Sequence, residues 1–344
     1  MRIVAIAAAV PQGRLVNGEF GLSDEDRRKY EENTGILARH VVKDAPLTTL
    51  DLCEAAARSA LNAAGWGAQD VDGVILVTQT PEYLLPASAC ILQKRLMLGK
   101  TVVAFDVNLG CSGYTYGLIL AQSLLQCGVV HRCLLAVGDV MSRHIDQVGD
   151  RFLFGDAGAA TLLDNEGPTQ VRATCWGTDG TGAPYLIIPA GGQRSRVGLT
   201  CRDPSPPPCL RMDGAQVFVF ALQRAVPAVK QLLKETGWTP EDVTAVVFHQ
   251  ASRFILDNVA RRCKIAMERV PLSLDHFGNT SSASIPLTMV VRMADQLRTS
   301  RSRLLLVGFG VGWSWSGVAI ETQGVSVAPL VELSGTPTQG LGHG

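Results

Sequence analysis

The chain of 344 residues is 47% apolar, 18% charged and 6% aromatic, with 35 Gly and 17 Pro, a balance that excludes a disordered, collagenous or coiled-coil protein. Its 31 Lys and Arg offset 31 Asp and Glu, so no global field draws it to nucleic acid or to an anionic membrane. The length exceeds the reach of one hydrophobic core and predicts a doubled α/β interior, while nine cysteines with no CxxC pair argue against a disulfide scaffold or a tetrahedral zinc site and fit a reducing, cytoplasmic location.

Ile3–Val10 is an Ala-rich run behind a single Arg. It imitates a secretory signal, but it is short and closes on Pro11-Gln12-Gly13, so it reads as a buried strand. No apolar run approaches the roughly 20 residues of a membrane span. Thr49–Ala64 has the periodicity of an amphipathic helix, stopped by Gly65-Trp66-Gly67. Val71–Gln79, Val102–Val107 and Cys133–Val137 read as strands buried on both faces. Gly191–Asp213 has the composition of an exposed connection. A helix over Gln216–Glu235 follows, expected to kink at Pro227 and to stop at Gly237. Val243–Phe248 and Leu304–Gly308 are further buried strands, and Gly324–Gly344 reads as a flexible tail. Val71 and Val243 each follow a helix ending in Gly-Trp and a short polar turn, which suggests a duplicated unit.

Four segments carry candidate chemistry. In Ala104-Phe105-Asp106-Val107-Asn108-Leu109-Gly110-Cys111-Ser112-Gly113, a strand passes through a Gly-flanked turn into a helix. A thiol at such a helix N-terminus is expected to ionise easily, its pKa depressed from about 8.5 into the range of roughly 3.5 to 7.5. For the other cysteines a buried structural role is the plainer reading. His249, in Phe248-His249-Gln250-Ala251, sits at the C-terminal end of a buried strand, where open α/β sheets gather ligands. Alone it is as readily a structural histidine. Asn279, in Gly278-Asn279-Thr280-Ser281, precedes a helix and by itself reads as a cap. Gly308-Phe309-Gly310-Val311-Gly312 is a Gly-rich turn between two strands; no helix follows it, so it is not a dinucleotide fingerprint, and its amides suit an oxyanion.

In this order, with Phe154-Gly155-Asp156-Ala157-Gly158 and Met212-Asp213-Gly214 between them, the segments resemble the ketoacyl synthase III group of the thiolase superfamily, enzymes that begin fatty acid and related polyketide chains. The resemblance runs from about Ile3 to Glu321. It implies a thiolase-like fold, a duplicated α/β/α/β/α core with mixed five-stranded sheets, in halves 1–170 and 171–322 with a tail at 323–344. It implies an acyltransferase without metal or cofactor, acting on acyl thioesters of coenzyme A or acyl carrier protein. Cys111 would be the nucleophile, with His249 and Asn279 as donors to the enolate formed when a malonyl thioester loses carbon dioxide. The backbone N–H groups of Cys111 and Val311 would hold the tetrahedral oxyanion. Leu85, Phe154, Met212, Gly214 and Phe309 would bind substrate, Leu85 from across a homodimer interface. Arg253, Arg261 and Arg262 would meet the acidic surface of a carrier protein.

Some positions depart from the pattern. Ahead of Thr34-Gly35-Ile36, where members that use coenzyme A carry a Trp and Arg clamp, stand Lys29 and Asn33. Asp150-Arg151 lies closer to Phe154 than the second clamp arginine does, and Phe254 replaces a common Arg. Leu85 replaces a frequent aromatic residue and leaves room for a bulkier or branched acyl group. These departures point to a specialised pathway. Acyl transfer to an alcohol or amine, a non-catalytic carrier-binding partner and a cysteine hydrolase are the alternatives; retention of Cys111, His249 and Asn279 favours decarboxylative condensation.

Overall fold

Arg2–Pro11 is a strand whose Ala5–Ala9 stretch is fully buried, and its small side chains let a helix pack closely on it. That helix, Thr49–Ala64, has the bounds read from the sequence. Thr48 and Asp51 form a capping box at its start, and Gly65, at φ 67°, supplies the left-handed cap. The computed structural model describes residues 1–20, 22–42, 46–145, 153–167, 170–193 and 209–335.

The first sheet has seven strands, two more than expected; its five longer ones run in the order Val103–Val107, Gly73–Val77, Arg132–Asp139, Ala157–Asp164 and Arg2–Pro11. The second sheet runs Ala245–Phe248, Ser302–Gly310, Ser314–Thr322, Val171–Thr178. The first sheet has further parallel pairings, but both sheets share a run of one parallel pairing followed by two antiparallel ones, Gly73–Val77 with Arg132–Asp139 and onward in the first and Ala245–Phe248 with Ser302–Gly310 and onward in the second. This is the duplication suggested by the sequence.

The helices Gly113–Gln126 and Ser284–Thr299 each touch strands of both sheets and form the middle layer. Thr49–Ala64 covers the outer face of the first sheet and Gly214–Thr236 that of the second, giving five layers. Gly214–Thr236 is one helix with Pro227, the residue expected to kink it, in its interior, and it stops at Gly237 as expected.

Two further differences concern the second sheet and the tail. The second sheet holds four strands among the described residues, one fewer than expected. Beside Ala245–Phe248, Gln250 donates its amide to the Phe248 and Pro271 carbonyls and accepts from Ser273 N–H. The expected tail is also shorter. Ser326–Val327 and Val331–Leu333 pair in parallel with Arg2–Pro11, using backbone groups that this edge strand would otherwise leave open. Residues 336–344 lie outside the described set, as does most of the connection expected at 191–213.

Candidate active site

The strand Val103–Val107 ends one sheet edge, and the turn after it closes with Gly113 N–H on the Gly110 carbonyl. This places Cys111 just before the helix Gly113–Gln126. Ser112 and Thr115 hydrogen-bond Ser314 and Ser316, which ties the helix start to the second sheet. Cys111 is 9% exposed. Gly310 presses against it: a Cβ built there would lie 2.5 Å from the Cys111 Cβ and 2.7 Å from Sγ, so only glycine fits.

The thiol is not the ready thiolate expected from its helix position. Burial pushes its pKa up to about 11, and the charge of Asp139 pushes the same way. The Val311 and Cys111 N–H groups and the Ser281 hydroxyl oppose the rise by hydrogen-bonding the sulfur. Desolvation outweighs these donors. The two amides expected to hold an oxyanion therefore converge on the reacting sulfur.

His249 follows Ala245–Phe248, and its N–H bonds the Val307 carbonyl at 2.9 Å. The ring stands edge-on to Phe309, centroids 5.8 Å apart, and Nδ1 lies 2.8 Å from Ser284 Oγ. Burial lowers its pKa to about 4, so the imidazole is neutral at pH 7. Asn279 comes from the same half but is anchored to the other. Its N–H bonds the Leu153 carbonyl at 2.8 Å and its carbonyl accepts from Gly155 N–H at 3.0 Å. Its side-chain oxygen accepts from Ser281 N–H at 2.9 Å, which leaves the amide NH2 for the cavity. Ser281 adopts φ 50°, a left-handed conformation that costs a non-Gly residue about 1 kcal/mol or more.

Cys111, His249 and Asn279 line one cavity of about 900 Å³. Phe154, Met212, Gly214 and Phe309 line the same cavity, joined by Met141, Leu186 and Leu210. Leu85 does not; it is 81% exposed and stands outside the cavity of its own chain. Polar residues line the cavity as well: Thr48 donates to Glu82, and Thr49 meets Thr80. Arg253, Arg261 and Arg262 are exposed on the helix Arg253–Cys263, whose cap Ser252 lines the cavity. Lys29 pairs with Glu25 at 2.6 Å on an exposed helix face. Asp150-Arg151 lies outside the described residues.

The sequence reading missed three side chains here. Asp139 is fully buried and receives Thr78, the Gln79 N–H and Ser282. Its sign was an acid at the end of an apolar strand. Ser281 and Ser284 lie in the Ser-rich stretch after Asn279, where hydroxyls read first as caps. Among the described residues, no cluster of three His, Cys, Asp or Glu could hold a metal, and no helix is long and apolar enough to cross a membrane.

Residues 105–180 match the family model for 3-oxoacyl-[acyl-carrier-protein] synthase III, and residues 233–322 match its C-terminal model. The beta-ketoacyl-[acyl-carrier-protein] synthase III of Caldanaerobacter subterraneus subsp. tengcongensis is 34% identical over 324 residues, 93% of this chain and 97% of the relative. The crystal structure of a 3-oxoacyl-(acyl-carrier protein) synthase from Burkholderia xenovorans superposes with a TM-score of 0.91 at 35% identity, covering 96% of this chain and 97% of that one. The priming beta-ketosynthase of the R1128 polyketide biosynthetic pathway gives a TM-score of 0.82 at 29% identity, over 94% and 96% of the two chains.

Proposed function

The chain belongs to the beta-ketoacyl-[acyl-carrier-protein] synthase III family, an acyltransferase family of thiolase fold, and from that premise we propose that Cys111 takes an acyl group from a thioester and passes it to the carbon of a decarboxylated malonyl thioester. The observation that carries this reading is the meeting of Cys111, His249 and the Asn279 amide in one cavity.

In the loading step the Cys111 sulfur bonds the acyl carbon, the donor's C–S bond breaks, and the thiol proton leaves with the departing thiol. Because the resting thiol has its pKa pushed up to about 11, attack is coupled to loss of that proton. The Cys111 and Val311 N–H groups stabilise the tetrahedral oxyanion; one such donor is worth about 3 to 4 kcal/mol of barrier. In the second step the malonyl thioester loses carbon dioxide and its electron pair becomes an enolate. His249 through Nε2–H and Asn279 through its NH2 hydrogen-bond the enolate oxygen. Both are neutral donors: with its pKa lowered to about 4 the ring carries no imidazolium proton at pH 7 that would quench the carbanion. The enolate carbon then bonds the acyl carbon and Cys111 departs as thiolate, to be protonated again.

Acyl carrier protein is the carrier this reading favours. Arg253, Arg261 and Arg262 are exposed on one helix whose cap Ser252 lines the cavity, and Lys29 and Asn33 stand where coenzyme A users carry a clamp. A homodimer sharing Leu85, and a specialised pathway like that of the R1128 relative, complete the reading. The test is single-turnover reaction of acylated enzyme with carboxyl-labelled malonyl carrier protein. One carbon dioxide per acyl group consumed, with a 3-oxoacyl product, supports condensation; acyl consumption without carbon dioxide supports transfer to an alcohol or amine instead.

A further inference from the structure

A neutral imidazole has one ring proton, and the nitrogen that carries it decides what His249 shows the cavity. Nδ1 lies 2.8 Å from Ser284 Oγ, and the same Oγ lies 2.8 Å from the Ser281 carbonyl oxygen. A hydroxyl owns a single proton, so two arrangements compete. In one, Ser284 donates to the Ser281 carbonyl and accepts from Nδ1–H, leaving Nε2 as a bare lone pair. In the other, Ser284 donates to Nδ1 and the hydrogen sits on Nε2. The second arrangement strands nothing, because the Ser281 carbonyl keeps the backbone N–H of Ser284. Ser284 is 1% exposed and opens the helix Ser284–Thr299, where its carbonyl accepts from Thr288 Oγ1 at 2.7 Å. The hydroxyl is thus held in place and turns about one bond.

We propose that Ser284 is a positioning residue: by donating to Nδ1 it holds His249 as the Nε2–H tautomer when a thioester carbonyl faces the ring. This rests on the role given to His249 above. A carbonyl oxygen has only lone pairs to offer, so it repels a bare Nε2 and hydrogen-bonds Nε2–H. Ser284 makes that tautomer available without leaving Nδ1 unpaired. Once the hydroxyl is removed, nothing among the described residues donates to Nδ1, while the Ser281 backbone still bonds the ring and favours its protonated form. His249 then turns its lone pair to the substrate.

The experiment uses the full chain with 15N-labelled histidine, bound to a malonyl thioester analogue that cannot lose carbon dioxide. Two-bond 15N–1H couplings identify the tautomer. Wild type and Ser284→Thr are expected to show Nε2–H, and Ser284→Ala to show Nδ1–H. Ser284→Cys, which fills a similar volume with a weak donor, is expected to show the same switch if Ala packs poorly. Decarboxylation of the malonyl thioester is expected to fall about 10²-fold in the Ala variant and to recover with Thr. Acylation of Cys111 is expected to stay within about twofold of wild type, since Ser284 acts only through His249. Retention of Nε2–H in Ser284→Ala overturns the proposal alone. A switched tautomer with undiminished decarboxylation overturns the role of His249 and the proposal with it.

Discussion

Gly310→Ala puts one methyl group where the nucleophile stands. The added carbon meets Cys111 Cβ at 2.5 Å and Sγ at 2.7 Å, whereas ordinary contact begins at 3.4 Å. The two residues must separate by roughly 0.7 to 0.9 Å to relieve the overlap. Cys111 sits at the tight start of a helix fastened to Ser314 and Ser316, so much of the movement falls on its side chain. Overpacking of this kind costs about 1 to 3 kcal/mol of stability, and a misplacement near 1 Å costs on the order of 10² in rate. Intact-mass measurement of acyl loading over time gives the rate, and thermal unfolding gives the stability. Gly180→Ala is the control, because a Cβ there meets nothing within 4 Å. A Gly310→Ala enzyme that folds and loads at the wild-type rate would refute the placement of Gly310 against the sulfur.

Three other outcomes follow from the site. With its pKa at about 4 in the fold and 6.5 as the ordinary value, His249 refuses a proton that the unfolded chain accepts. Stability at this ring is present above pH 6.5 and lost as pH falls toward 4, by about 3 kcal/mol; urea midpoints of His249→Asn should fall less steeply than wild type over that window, and parallel acid limbs would count against the buried neutral ring. Asn279→Asp keeps the oxygen that accepts Ser281 N–H but removes the NH2 donor. Carbon dioxide release should fall about 10²- to 10³-fold while Cys111 still loads; equal losses in both steps would mean that the side chain only supports the fold. Because the Asp139 charge helps hold the Cys111 pKa up, Asp139→Asn should move the midpoint of iodoacetamide alkylation below about 11, and a midpoint that rises would contradict the electrostatic link.

The order of Cys111, His249 and Asn279 along the chain was legible because the first two stand where a strand gives way to a helix and the third in a Gly- and Ser-rich turn before one. The helix Thr49–Ala64 was legible to the residue because Thr48, Asp51 and Gly65 are local signals that the fold obeys. What stayed hidden depends on distant partners. The ionisation of Cys111 was misread, since the helix start is visible in a sequence and the desolvation that overrides it is not. Residues 326–333 have loop composition and become strands only because Arg2–Pro11 offers an open edge. Among the described residues the second sheet has four strands, and beside it Gln250, from its side chain, bonds the Pro271 carbonyl and Ser273 N–H, contacts that no composition pattern announces. Asp139 and Ser284 acquire meaning only when Ser281 and Ser282 are folded back between the two halves.

The most direct test of the account is intact-mass analysis of wild type and Cys111→Ala after exposure to a panel of acyl thioesters on carrier protein and on coenzyme A. The account predicts one acyl adduct on wild type, mapped to Cys111, and none on a Cys111→Ala protein of unchanged fold. An adduct on another residue, or 3-oxoacyl product formed at the wild-type rate by Cys111→Ala, would contradict it.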